Sequence, residues 1–486
     1  MDDVWRPVRS RIDPFVVSVT CTIFALLLLS VYLILSMVTL IATGAAGALV
    51  LYLLVTRRQY TSFAYGRHVP SVMTLAFIAL PFVLGLCMAL EGYSIWQSPA
   101  MTIIVVGLTT TFWYNMLSLP LTIYSKQREV VESKPMIYPT LSVILPAYNE
   151  ERVIARTIES LIETDYPNKE IIVVDDGSND KTLTIANTYK RIKVLHKENG
   201  GKFSALNYGL RFARGDVIVA VDADTIVSRD ALKNIVTGLK DETVGAVAGN
   251  VRILNRRNWL TWCQTLELVV AGQIWRRTFD VFGAVNIVPG ALGAFKRHVF
   301  DRVGTYDGDT VVEDFDQTFK TLKSGLKVRG SSQAVAYSEA PETLRDFYKQ
   351  RIRWYRGNIQ TYVKHSDTLT NPFYGFLYRL NYPFMLISSF FLPIAGFLVI
   401  ATSTIAVIQG DGFFVLRTIL LFVVLQHLLT ALAVRIEGED PKLIAFSTFL
   451  IVGYKQIIDI FLIKAALDIV FKRRVSWTRA QRIGIP

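Results

Sequence analysis

An α/β domain set between two sets of transmembrane helices is the architecture the sequence predicts, and three observations predict it. Long uncharged apolar runs crowd both ends of the chain. Short β-branched runs alternate with helical patterns in the middle. The 51% hydrophobic content is too high for an ordinary soluble protein, yet 19% charged residues leave room for a water-exposed domain. The boundaries fall at residues 1–137 for a first membrane region of about four helices, 138–366 for the α/β domain, and 367–486 for a second membrane region of three or more helices with a basic tail.

In chain order, residues 14–56 are apolar for twice the roughly 20 residues one span needs, which predicts two spans joined near Met37 to Gly44. A secretory signal peptide, with an apolar region of only about 7–15 residues, is not expected there. Runs at 71–90 and 101–124, joined by EGYSIWQSPA, predict a third and a fourth span. If the four alternate, Arg6, Arg9, Arg11, Arg57, Arg58, Arg67, His68, Lys126 and Arg128 share one side, which the excess of Lys and Arg in cytoplasmic loops assigns to the cytoplasm. The net charge of +12 has the same origin. No nucleic-acid partner is expected, because the chain has no stripe of basic and aromatic residues in a recognisable module. Cys21, Cys87 and Cys263 stand too far apart for metal-ligand spacing and read as packing residues, and the lone His196 and His298 read as surface or packing residues with no metal-binding role.

Within the domain, LSVILP (141–146), EIIVVDD (170–176), KVLH (193–196) and DVIVAVDAD (216–224) read as strands buried on both faces. Between the first two, residues 151–164 place Ile154, Ile158, Leu161 and Ile162 at helical spacing, and strand, helix, strand at that distance predicts a parallel crossover. After the domain, runs at 383–408 and 413–434 predict two more spans. The stretch 443–471 is interrupted by Lys455, Asp459, Lys464 and Asp468, and as a single span it would carry the basic tail KRRVSWTRAQR outward. A broken hairpin or an interfacial segment is predicted there instead.

Four acidic or polar clusters carry the chemistry: PAYNE (146–150), DDGS (175–178), DAD (222–224) and VED (312–314). Ligands of an open parallel sheet bind beyond the carboxyl ends of its strands, so the first three clusters should converge. Any one of them alone is ordinary turn sequence; three on successive strand ends are not. In an extended strand Asp222 and Asp224 would share a face, and adjacent carboxylates call for a cation between them. Hard oxygen ligands suit Mg²⁺ or Mn²⁺, which also take phosphate oxygens, so a diphosphate-bearing substrate is expected. KENGGK (197–202) adds glycines and lysines suited to close approach by an anion. Gln350, Arg353 and Trp354 lie at i, i+3 and i+4, on one helical face. They belong to FYKQRIRWYRGN, whose Lys349, Arg351, Tyr355 and Arg356 suit a helix lying on a membrane surface.

PAYNE, DDGS, NGGKFSALNYGL (199–210), DAD, VPGALGAFKR (288–297), VED and QRIRW (350–354) occur in an order and spacing that resembles the family 2 inverting glycosyltransferases. Within that family the chain is most similar to the membrane-embedded processive synthases of poly-N-acetylglucosamine, with chitin, hyaluronan and cellulose synthases as relatives. The resemblance covers residues 138 to 366 and implies a GT-A-like domain with a Rossmann-type mixed sheet. It implies that Tyr148 stacks on the uracil of a UDP-sugar, with Pro146 and Ala147 shaping the pocket, Glu150 near the ribose and Asp176 accepting a hydrogen bond from the base. Lys202 would contact the donor, and Asp222 and Asp224 would hold its diphosphate through Mg²⁺ or Mn²⁺. Asp314 would be the general base, taking the proton of the attacking hydroxyl. Glu313, Gln350, Arg353 and Trp354 would form the acceptor and leaving-group side. Val312 stands where the family commonly has Thr.

The activity so implied is that of a hexosyltransferase, with N-acetylglucosamine as the best candidate sugar. The enzyme would sit in the plasma membrane as a multi-pass protein with its catalytic domain in the cytoplasm, extending a polysaccharide and passing it out through its own helices. Its partners would be the UDP-sugar, the growing polysaccharide and the lipid bilayer. Asn115, Gln426 and His427, polar residues within apolar runs, are candidates to line the polymer path. Two alternatives stand beside this reading. Transfer of one sugar to a polyprenyl-type lipid phosphate would share the donor motifs but not need QxxRW on a membrane-facing helix. An inactive nucleotide-sugar sensor would not need Asp314 together with QxxRW.

Overall fold

The computed structural model describes residues 13–34, 97–131 and 138–473. The predicted second and third spans, the arginines before residue 13 and between 57 and 67, His68, Cys87 and the tail beyond Arg473 lie outside the described residues. Asn115 has a described backbone, but its side chain is likewise outside.

Eight strands form one mixed sheet: β1 (Leu141–Ala147), β2 (Lys169–Asp175), β3 (Lys193–His196), β4 (Val217–Ala220), β5 (Thr225–Val227), β6 (Val244–Ile253), β7 (Gly293–Lys296) and β8 (Lys327–Ser338). Their order is β3-β2-β1-β4-β7-β6-β8-β5. β3, β2, β1 and β4 are mutually parallel, β7 runs antiparallel between β4 and β6, and β5 is antiparallel on the outer edge of β8. β1 is central, and all seven of its residues are buried. Successive side chains of a strand point to opposite faces, so Val143 and Leu145 enter one core with Ile154, Ile158 and Leu161 of the helix Ile154–Glu163. Ile144 enters the other core, under the helix Lys202–Phe212. A helix turned inward by three large aliphatic residues is held by packing; removing one of them, as in Leu161→Ala, costs about 2–5 kcal/mol.

The four strands read from the sequence are present, with two corrections. β3 is an edge strand with Lys193 and His196 exposed, so it is not buried on both faces. β4 ends at Ala220, and Asp222 and Asp224 follow it in a turn. The same-face argument for DAD therefore does not hold; the turn, closed by Thr225 N donating to Asp222 O at 3.1 Å, sets the two carboxylates instead. β6 shows no alternation because it lies inside the sheet with both faces covered, its first seven residues all buried, and its pairing with β8 shifts register between Val244 and Ala246 and again between Ala248 and Asn250.

Two helical stretches among the described residues, Leu377–Ile408 and Gly412–Glu437, are long and apolar enough to cross a membrane. Pro441–Leu450 and Tyr454–Val470 form a pair bent by 56°, the broken element expected for 443–471. Its charges are explained by its neighbour. Lys455 pairs with Asp459 at 2.6 Å, and Lys464 with Asp468, each one turn apart. Asp468 also lies 3.8 Å from Arg356 of the helix Leu344–Lys364. Arg351 on that helix forms a two-point pair with Glu267, at 2.7 and 3.1 Å, and Tyr454 Oη donates to the same carboxylate at 2.5 Å. Arg351 and Arg356 are thus buried and paired inside the protein, which corrects their assignment to a lipid surface.

Candidate active site

β1 and β2 end side by side, Ala147 opposite Asp175, and β4 lies on the other side of β1 with Ala220 opposite Ile144. PAYNE and DDGS are stitched together beyond those ends. Asp176 N donates to Ala147 O at 2.9 Å, Asn149 N to Ser178 Oγ at 2.9 Å, Asn179 N to Asn149 Oδ1 at 2.8 Å, and Glu150 N to Thr182 Oγ1 at 2.7 Å. Asn149 makes this turn at φ 55°, a left-handed conformation that Asn tolerates better than most residues. Pro146 and Ala147 close β1 as buried residues, and Tyr148 and Glu150 follow them half-buried at the rim.

Asp176 holds the KENGGK loop. Its carboxylate accepts from Gly200 N at 3.1 Å, Gly201 N at 2.8 Å and Lys197 Nζ at 2.6 Å, leaving little of the capacity of about four acceptor sites for a base. The loop delivers Lys202 to the first turn of the helix Lys202–Phe212. Lys202 Nζ lies 2.6 Å from Asp222 Oδ1 and 2.8 Å from Glu313 Oε1. Gly290 completes the cluster: its N–H donates to Asp314 Oδ2 at 2.9 Å. A Cβ at 290 would sit 2.5 Å from Lys202 Nζ, 3.3 Å from Asp222 Oδ1 and 3.5 Å from Asp314 Oδ2, so any side chain there would displace the lysine. Four of the predicted residues, Lys202, Asp222, Glu313 and Asp314, therefore meet around a glycine whose role the sequence did not disclose. The signal available was its place between Pro289 and Ala291 in a motif of small residues.

Electrostatics in this cluster are strained in one direction. Burial, and then the Glu313 carboxylate, raise Asp314 to about 6; Lys202 and the Gly290 N–H offset part of the rise. Burial alone would lower Lys202, but Asp222, Glu313 and Asp314 outweigh it and hold the ammonium well above its usual range. Asp314 is thus a carboxylate whose basicity is raised toward neutrality beside a fixed positive charge, the combination a general base needs.

For a divalent cation, the chemistry of the donor set is the test. Asp222 is partly exposed and Asp224 is buried, both offer only oxygen, and both lie at the carboxyl end of β4, a set that fits Mg²⁺ or Mn²⁺. Elsewhere among the described residues, Asp307, Asp309 and Asp316 approach within 4.8 Å of one another. There the ammonium of Lys364 already lies between them, at 2.7, 2.9 and 2.9 Å.

Gln350, Arg353 and Trp354 lie on the helix Leu344–Lys364, capped by Thr343, whose side chain accepts from Asp346 N. Gln350 is buried, Arg353 and Trp354 are half-buried, and the Arg351 guanidinium lies 4.7 Å above the Trp354 ring. The helix meets the VED segment at Gly357, where a Cβ would lie 2.7 Å from both γ-carbons of Val312. Gln350, Arg353 and Gly357 are spaced i, i+3 and i+7, so Gln350 and Arg353 lie on the helical face that meets Val312. Val312, the departure from Thr, packs its two methyl groups into that crossing.

Residues 142–304 match the family model described as glycosyl transferase family 2. Poly-β-1,6-N-acetyl-D-glucosamine synthase of Staphylococcus aureus (strain COL) is 34% identical over 229 residues, which are 46% of this chain and 56% of that one. The synthase of the same name from Staphylococcus epidermidis (strain ATCC 35984) is 31% identical over 240 residues, 48% of this chain and 58% of that one. The chain thus spans a little over half the length of the curated relatives it matches. Among solved structures, the mannosyltransferase PcManGT from Pyrobaculum calidifontis, in complex with GDP-Man and Mn²⁺, superposes with a TM-score of 0.55 at 23% identity, covering 77% of this chain and 100% of that one. That likeness is one of fold. The match runs from β1 through β7 and takes in the motifs at the strand ends, so residues 142–304 form a domain of GT-A-like fold that is similar to the family 2 glycosyl transferases.

Proposed function

We propose that the protein is a processive inverting β-glycosyltransferase that extends a polysaccharide from a UDP-sugar, UDP-N-acetylglucosamine before others, and passes the product out through its own helices. The observation that carries the reading is the meeting of Asp314 with Lys202, Asp222 and Glu313 around Gly290, with the helix that carries QxxRW packed through Gly357 on Val312. Relatives that are poly-β-1,6-N-acetyl-D-glucosamine synthases support the choice of sugar.

In this mechanism Tyr148, Pro146, Ala147 and Glu150 receive the nucleoside at the rim of β1. Asp176 acts there chiefly by shaping the loop that carries Lys202. Asp222 and Asp224 would hold Mg²⁺ or Mn²⁺, which supplies charge neutralisation for the diphosphate. Lys202 adds a fixed positive charge at the same place. Asp314 accepts the proton of the acceptor hydroxyl as that oxygen attacks the anomeric carbon, and the bond to the diphosphate oxygen breaks on the opposite face. One carboxylate is enough, because no covalent glycosyl-enzyme is formed. Arg353 would balance the departing diphosphate, and Gln350 and Trp354 would seat the acceptor sugar.

The same reading divides the chain at 1–137, 138–366 and 367–486 and seats it in the plasma membrane as a multi-pass protein with the catalytic domain in the cytoplasm. The two long apolar helices support a membrane location. The test is product size. Purified protein given a panel of UDP-sugars with Mg²⁺ is expected to release UDP fastest from UDP-N-acetylglucosamine and to make long polymer. A product that stops at one sugar on a lipid would overturn processivity.

A further inference from the structure

Residues 304–312 connect the helix Arg297–Val303 to the helix that begins with Glu313 and Asp314. This segment is gripped from both sides of the site. On the donor side, Asn207 Nδ2 donates to Tyr306 O at 2.8 Å, and Asn207 Oδ1 accepts from Tyr306 N at 3.0 Å. Gly308 lies so close to the Phe203 ring that a Cβ would collide with it. Asn207 and Phe203 both belong to the helix that begins at Lys202. On the acceptor side, Lys364 Nζ reaches Asp307 at 2.7 Å, Asp309 at 2.9 Å and Asp316 at 2.9 Å. Lys364 closes the helix that carries Gln350, Arg353 and Trp354.

We propose that Lys364 is a positioning residue: by tying residues 307 and 309 to the end of the acceptor helix, it holds Asp314 at a fixed place between the donor and acceptor halves of the site. The inference rests on the glycosyltransferase reading above and adds a part to it. The three legs of the tie differ in kind. Asp316 is fully buried and also bonded by His365 Nε2 at 2.9 Å, so it anchors the lysine. Asp307 and Asp309 are largely exposed, with side chains 43% and 59% accessible, and contribute little to the stability of the fold. An ammonium has three donors, and three carboxylates take them. The exposed pairs therefore act on the geometry of residues 304–312, and through it on the first turn of the helix that bears the base. A displacement of the order of 1 Å at a reacting group lowers the rate by about 100-fold.

The test separates tethering from folding. Asp307→Asn combined with Asp309→Asn leaves the buried Lys364–Asp316 pair intact and releases the segment from Lys364, and Asp307 also from Lys320, 3.2 Å away. In the full-length protein this double variant is expected to lose about tenfold or more in kcat while KM for the UDP-sugar and the affinity for UDP stay within about twofold. Lys364→Arg is expected to keep more activity than Lys364→Met. Amide exchange over residues 304–316 is expected to quicken in the double variant whether or not any sugar is transferred. Wild-type kcat in the double variant, a parallel loss of UDP affinity, or unchanged amide exchange would each overturn the tie. A wild-type protein that makes no polymer would instead overturn the function it serves, leaving the exchange measurement to decide the tie.

Discussion

In the proposed mechanism Asp314 is the base, in a place that makes charge costly, and the two consequences run in opposite directions with pH. Its pKa is raised from the ordinary 3.8 to about 6, so the folded chain binds this proton more tightly than the unfolded chain does. Between those two values, lowering the pH favours the folded state, while the reaction, which needs the carboxylate, is lost. Polymer synthesis should therefore fall as pH drops through about 6, without a matching fall in melting temperature. Asp314→Asn should lose at least about 100-fold in rate, the lower range of what a general base contributes, and should melt no lower than wild type at pH 7. A variant that keeps its rate, or a rate that is flat from pH 5 to 7.5, would remove Asp314 from the role. At this scale the sequence was informative where a motif names the reacting group. It was silent where the role depends on an approach in space: the motifs VPGALGAFKR and NGGKFSALNYGL include Gly290 and Asn207, but nothing in them announces that Gly290 wedges among Lys202, Asp222 and Asp314 or that Asn207 bonds across 99 residues to Tyr306.

The helix Leu344–Lys364 shows how one element combines work that the sequence presented as alternatives. Its basic and aromatic residues read either as a membrane-surface face or as part of the reaction site. The structure divides them differently: Arg351 and Arg356 turn inward to Glu267 and Asp468, while Gln350, Arg353 and Gly357 share the face that meets Val312. Composition could not separate these, because an arginine facing lipid headgroups and one facing a buried glutamate sit in the same helical pattern until the partner is known. Arg353→Ala and Trp354→Ala should each abolish polymer synthesis while leaving membrane insertion and the melting temperature unchanged. Arg351→Ala should behave in the opposite way. It strands Glu267 beside Tyr454 with no countercharge, a loss in the range of about 3–5 kcal/mol for a buried pair. If Arg353→Ala and Arg351→Ala fail in the same way, the division of faces is wrong. The strands tell a similar story: β1 and β2 were legible from their unbroken β-branched runs, and β6 was not, because Gly245, Gly249 and Asn250 interrupt its run.

Across the whole molecule, the catalytic domain is joined to the apolar helices by buried charges. Arg277, on the helix Ile274–Val281, is 3% exposed and lies between Glu437 and Glu129, with Nη1 to Glu129 Oε2 at 2.9 Å. Glu437 ends the helix Gly412–Glu437, and Glu129 lies near the end of Pro99–Val131. Beside them Asp280 is bonded by Arg329 at 2.6 Å and by Arg128, while Glu439 takes Arg252 at 3.1 Å and Arg256 at 2.7 Å. The layout of helices around a domain was readable from hydropathy, but this junction was not, since its partners lie 148 and 160 residues apart and charge pairing at that range leaves no periodic trace. A buried arginine between two carboxylates makes a sharp prediction. Removing it alone, in Arg277→Met, leaves the buried Glu437 and the half-buried Glu129 without this partner and should cost about 3–5 kcal/mol, read as a lower melting temperature in detergent. Adding Glu437→Gln to Arg277→Met removes one stranded charge and should recover part of that loss, so the double variant melts above the single one. Strict additivity of the two changes would mean that Arg277 and Glu437 do not hold the domain to the helix. Recovery would show that Arg277 and Glu437 are coupled across the contact between the domain and the helix Gly412–Glu437.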